Sequence, residues 1–148
     1  MTEQTKFQIK FKAIELLAKT LEPPAAGMEP KEINFQFSLD LKVAPEQKTV
    51  GVFTDVALLQ IPEGKRLAFF RLLTLFEIVN FQEVVKEVHE NLYDIPAQVE
   101  ILLKSTGLST IRGVIYSELR GTHLNNAVLP LIDIASIVMD ARRKAKRL

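Results

Sequence analysis

The 148-residue chain contains no cysteine and no tryptophan. The missing thiols exclude disulfides, thiolate-held zinc or iron–sulfur centres, and a cysteine nucleophile. They also suit a reducing compartment. His89 and His123 are the only histidines, too few for a multi-histidine metal site. The six glycines form no phosphate-cradling run, since neither GxxxxGK(S/T) nor GxGxxG occurs, and no GxSxG elbow is present. Long apolar runs are missing too. The densest, residues 67–81, is broken by Arg71 and Glu77, too short and too charged for a membrane span. Residues 1–12 are polar and charged, with Phe7, Ile9 and Phe11 alternating, and lack the continuous apolar region of a secretory signal. A soluble, cytoplasmic protein of one domain is therefore expected.

The charge balance, 19 basic against 18 acidic residues, conceals a split. Five of the basic residues, Arg142, Arg143, Lys144, Lys146 and Arg147, fall in the last seven positions, leaving a body of 14 basic and 18 acidic residues. The basic end carries no interleaved aromatics, and cations suit a helix C-terminus, so it is read as a solubilising helix end and not as a nucleic-acid contact.

All nine phenylalanines lie between Phe7 and Phe81, where the apolar period is two; beyond them it becomes about 3.6. Residues 33–43 alternate strictly, with Ile33, Phe35, Phe37, Leu39, Leu41 and Val43 on one parity and polar residues on the other. That pattern predicts a strand with one buried and one wet face. Residues 7–16 open the same way and change parity at Ile14, which predicts a bulge near Ala13. Residues 21–30, LEPPAAGMEP, form a connection. A third strand over 48–60 follows a turn at 44–47. A second turn, 61–65, places Gly64 where positive φ is needed. The fourth strand, 66–81, is apolar on both parities: Phe69, Leu73, Leu75 and Val79 on one, Phe70, Leu72, Phe76 and Ile78 on the other. Such a strand needs cover on both faces, either from a thick core or from a partner subunit.

Val84, Val85, Val88 and Leu92 point to a short amphipathic helix or a structured loop over 83–92. Asp94 as cap and Pro96 in the first turn then open a long helix that contains Gly107 and Gly113 and closes at Gly121. After a loop at 122–128, Pro130 opens the last helix, which runs to about Lys146. Its apolar arc is wider than one packing stripe needs. The layout is α+β: a four-stranded antiparallel sheet (1–81), a connector (82–94) and two C-terminal helices (95–148) in a single domain.

No chemistry emerges from this inventory. His89 lies in a charged stretch beside Glu87 and Glu90, and His123 lies in a loop. No close carboxylate pair sits in an apolar setting that would split two pKa values. The chain reads as a non-enzyme without cofactor or metal.

Residues 95–143 resemble the C-terminal half of the SecB export-chaperone family. There a long interrupted helix ends in an Arg-Gly-Thr-like turn, and a loop leads through a proline to a second helix. Arg120-Gly121-Thr122 and Leu129-Pro130 match that layout. Residues 7–21 look like the family's first strand with a Pro-containing crossover behind it, and Ala68-Phe69 sits where its fourth strand begins. The resemblance implies a homotetramer (or a dimer) that holds non-native polypeptides in apolar grooves, in protein export, without nucleotide. It places a client groove between the 21–30 crossover and the last helix, lined by Leu21, Met28, Ile132, Ala135 and Met139. It places an oligomer contact on the long helix at Gly107, Ile111, Gly113 and Tyr116. Three departures stand out. The turn before the fourth strand reads Glu63-Gly64-Lys65-Arg66, largely basic where the exporting members are acidic, and the cysteine-bearing zinc tail and strong net acidity are missing. Both argue against docking on the export motor ATPase. The 82–94 link is also longer than the family's. Two other functions stay open: a carrier of a small apolar ligand, and a partner-dedicated regulatory oligomer of the toxin–antitoxin type.

Overall fold

The computed structural model describes residues 7–23, 32–62 and 64–146. Strands β1 (Ile9–Leu21), β2 (Ile33–Ala44), β3 (Thr49–Gln60) and β4 (Lys65–Ile78) form one antiparallel sheet in the order β1-β4-β3-β2. A four-residue helix α1 (Phe81–Val84) and a hairpin of β5 (Lys86–His89) and β6 (Leu92–Asp94) follow. Two helices, α2 (Ala97–Glu118) and α3 (Ile134–Lys146), complete the chain.

The alternation in β2 becomes a ladder of twelve pairs with β3, unbroken from Ile33–Gln60 to Ala44–Thr49. β1 shows the bulge expected near Ala13 and a second between Leu16 and Ala18. The first bulge restores Ile14 and Leu16 to the face that carries Ile9 and Phe11, and the second does the same for Leu21. Gly64 takes φ +73° in the β3–β4 turn, and Gly121 takes φ +78° just past α2.

Cross-strand partners share a face, so the register assigns both sides of the sheet. On one side Val52, Val56 and Leu58 of β3 and Phe70, Leu72, Phe76 and Ile78 of β4 are buried beneath α2 and α3. On the other, Phe53, Ala57, Phe69, Leu73 and Leu75 are only half-buried. No described element covers them. Among the described residues the thick core considered for the fourth strand is therefore not found, because both long helices lie on one side. The Asp55–Arg71 pair bridges the strands on the open side with two 2.9 Å hydrogen bonds, and Arg66 stands 4.6 Å over the Phe69 ring.

α2 meets the sheet at Gly107. A β-carbon there would lie 2.9 Å from Thr54 Oγ1, 3.1 Å from Val52 Cγ1 and 3.4 Å from Thr74 Oγ1. The glycine lets the helix backbone rest on a small, partly polar patch of β3 and β4. Ile111 and Ile115 continue that face and are fully buried.

Three boundaries differ from those read in the sequence. The 83–92 stretch is neither a single helix nor a loop. α1 ends at Val84, and a hairpin turns through Asn91, which adopts the left-handed conformation at φ +62°. Asp94 belongs to β6 and caps nothing; Pro96 stands at the N-cap of α2 without a side-chain hydrogen bond. α3 begins at Ile134 and not at Pro130. Asp133 is the reason, since its carboxylate accepts the Ser136 N–H at 3.2 Å and the Ser136 hydroxyl at 2.6 Å, as an N-cap does. Those bonds hold the Asp133 carboxyl below its ordinary pKa.

Replacing Gly107 by alanine gains helix propensity worth about 1 kcal/mol but forces Thr54 and Val52 apart. Overpacking of this kind costs about 1–3 kcal/mol. Gly107→Ala is expected to lower stability, whereas Gly113→Ala, which meets nothing within 4 Å, is expected to raise it; urea denaturation of the two variants checks the pair.

Candidate functional site

A cavity of about 710 Å³ opens beside the β2 edge. Leu39–Val43 of β2 form one wall, with Pro45 and Glu46 below. Asn91–Asp94 of the hairpin and Ile95 form the other. Glu100 and Lys104 of α2 and Arg142 of α3 close the helix side.

Those three charged groups are one unit. Glu100 Oε1 accepts from Arg142 Nη2 at 2.7 Å, and Glu100 Oε2 accepts from Lys104 Nζ at 2.7 Å. Arg142 also donates to the Ile95 carbonyl at 2.6 Å. The bonds tie the end of α3 to the start of α2. Burial pushes the Glu100 carboxyl up, but the hydrogen bonds and charges of Lys104 and Arg142 outweigh it, and its pKa falls below the ordinary value. The basic C-terminal run is thus divided by function. Arg142 is a half-buried clamp, while Arg143, Lys144 and Lys146 are exposed.

At the other end of α2, Arg112 donates to the carbonyls of Leu129 and Pro130 at 2.9 and 3.0 Å, fixing the loop that leads to α3. Beyond it Leu131 is 91 % exposed.

The groove residues expected from the sequence lie elsewhere. Leu21 and Ile132 are half-buried against the same core cluster, and Ala135 and Met139 are exposed on α3. Met28 lies outside the described residues. Leu21 pairs with Ala68 at the opposite end of the sheet from Leu39–Val43. None of the four described residues lines the cavity. Gly107 and Ile111 face the chain's own sheet, whereas Gly113 and Tyr116 are exposed, so these four do not form one surface. Sequence reasoning missed the hairpin wall and the Glu100–Arg142 clamp. Asn91 between the apolar Val88 and Leu92 was a turn signal for the first. The clamp joins residues 42 positions apart and left no local trace.

Among the described residues no group of three or more His, Asp or Glu could hold a metal, and no helix is long and apolar enough to cross a membrane. No protein-family model and no curated protein matches the sequence. Comparison of structures does find a match. The SecB-like chaperone of Mycobacterium tuberculosis, solved with a ChAD peptide from the HigA1 antitoxin, superposes with a TM-score of 0.53 at 18% identity, covering 84% of this chain and 89% of that one. The fold is SecB-like. The four-stranded antiparallel sheet and the two C-terminal helices are therefore those the sequence resemblance implied. At this identity the likeness is one of fold.

Because the folded pKa of Glu100 is depressed, its stabilising contribution is complete above the ordinary carboxylate range and is lost as pH falls through the lowered pKa. Glu100→Gln should therefore lower stability at pH 7 and narrow the gap to wild type under acid. Arg142→Ala should cost about 1–2 kcal/mol at pH 7, as loss of charged hydrogen bonds at a part-exposed site does. Urea denaturation at pH 7 and pH 3 tests both.

Proposed function

We propose that this SecB-like protein is a non-catalytic chaperone that holds non-native polypeptide segments and works in the cytoplasm as a homo-oligomer. The observation that carries the reading is a SecB-like fold with an open cavity beside an edge strand. The carrier of a small apolar ligand is less well supported. The cavity is open, and its walls carry Asp40, Lys42, Glu46, Asp94, Glu100, Lys104 and Arg142. A lipid pocket is mostly apolar and buries its ligand.

A second reading has an observation in its favour. The solved SecB-like chaperone binds an antitoxin peptide, so a regulator dedicated to one partner fits as well. The basic Lys65-Arg66 turn argues against the export motor as that partner. The discriminating experiment is affinity capture beside an aggregation assay. A general holdase at equimolar subunits suppresses aggregation of reduced α-lactalbumin and captures many chains. A dedicated regulator captures one stoichiometric partner and suppresses little. Failure in both assays overturns the chaperone reading.

Oligomerisation is proposed from two uncovered apolar regions: the open sheet face around Phe53 and Leu73, and the outer side of α2, where Leu102 and Tyr116 are about half exposed. Light scattering should give a dimer or tetramer, and Tyr116→Asp, an exposed change that spares the core, should reduce the mass if α2 is the contact. A monomeric wild-type protein overturns the proposal.

A further inference from the structure

The two edges of the sheet are built differently. β1 carries two bulges and three lysines, Lys10, Lys12 and Lys19. Bulges and lysines are how edge strands avoid pairing with other chains. β2 has neither proline nor bulge over its twelve pairs, and Lys42 is its single lysine. It is a long, regular edge left without protection.

The hydrogen-bond parity of that edge follows from two bonds. Ile61 N–H donates to the Glu32 carbonyl directly opposite it, in phase with the β2–β3 ladder. Ile78 N–H donates to the Lys48 carbonyl, also directly opposite, in phase with the β3–β4 ladder. Hydrogen-bonded pairs alternate along an antiparallel ladder. Even residues of β3 therefore bond to β4 and odd ones to β2. On β2 the even residues, Asp40 and Lys42 among them, bond inward. The N–H and C=O groups of Phe37, Leu39, Leu41 and Val43 point out of the sheet. No backbone bond among the described residues takes them up. Such groups recur every second residue, ~6.8 Å apart, and only another extended backbone matches that repeat.

At Leu39–Val43 the outward edge is also one wall of the 710 Å³ cavity, with the β5–β6 hairpin opposite. We propose that an extended polypeptide segment adds to β2 as a fifth strand in this channel, between the edge and the hairpin. The inference rests on the polypeptide-binding reading above and specifies how that binding works. Residues of the segment that pair with Leu39 and Leu41 turn their side chains toward the helix layer, where Leu92, Tyr93 and Ile95 wait. Those between them face solvent. Main-chain bonds supply affinity whatever the sequence, and alternate side chains supply preference. The hairpin bounds the channel, so it admits a single strand and obstructs a second copy's whole sheet.

The probe is a fluorescein-labelled ten-residue peptide with leucine alternating with serine, in three forms: unmodified, N-methylated at the leucine amides, and N-methylated at the serine amides. Strand addition predicts that one methylated form binds at least about tenfold more weakly while the other binds like the unmodified peptide. It predicts a matching pattern in amide exchange by NMR. Asp40 and Lys42 are protected in the free protein, and Leu39, Leu41 and Val43 become protected when the unmodified peptide is added. If reduced α-lactalbumin is held but the peptide does not bind, or binds without either pattern, strand addition is overturned and polypeptide binding survives. If neither is bound, both are overturned. If Leu39, Leu41 and Val43 are already protected without peptide, increasingly so at higher protein concentration, the edge belongs to a second copy and the proposal falls.

Discussion

The contact of Gly107 with Thr54, Val52 and Thr74 sets the height of α2 above the sheet, and the rest of the molecule is arranged around it. A helix that must bury Leu103, Ile111 and Ile115 on a sheet needs a point of close approach, and the glycine supplies it over two threonines of the central strands. Once α2 is seated there, its start comes within reach of the end of α3, and the Glu100–Arg142 clamp joins them. The 119–133 loop is then held from beneath by Arg112. Both long helices are thereby committed to one side, and the other side of the sheet keeps Phe53, Leu73 and Leu75 half exposed.

That one-sidedness explains a feature of the sequence that composition leaves ambiguous. β4 is apolar on both parities although a single helical layer can dry only one of them. The buried parity packs under α2 and α3. The other carries a charged bridge, Asp55–Arg71, set among apolar neighbours. An exposed bidentate pair contributes little to stability. On a surface of this kind its stronger effect is on association, because a covering partner must match its charges or leave them desolvated.

Much of the sheet was legible because its residues report on their surroundings one by one. In β2, a wet face and a drier face alternate from Ile33 to Val43, and the resulting ladder is unbroken. The parity change at Ile14 marked the first bulge of β1. The second, between Leu16 and Ala18, left no such sign, because Leu16, Leu17 and Ala18 are all apolar and parity cannot be read through them. The 81–94 connector failed for a different reason. A four-residue helix and strands of four and three residues are too short to establish a period, and only Asn91 hinted at the turn between them. The cavity was not legible at all. Its walls come from β2, the hairpin, α2 and α3, and only the fold brings Leu41, Tyr93, Glu100 and Arg142 to one place.

A protein that holds many different segments faces a recognition problem, since side-chain pockets select and a holdase should not select strongly. The peptide backbone is the one feature all extended segments share, and a regular sheet edge is the surface that reads it. The cost of such an edge is exposure to unwanted pairing. Here the cost is contained by geometry. β1 is bulged and lysine-bearing, so a single edge is open, and along Leu39–Val43 that edge faces the hairpin across a channel and not open solvent. The β5–β6 hairpin within the 82–94 link thus stands across the cavity from that edge, where the proposed strand would enter. The feature that looked like an irregular connector in the sequence becomes the element that makes an unprotected edge tolerable.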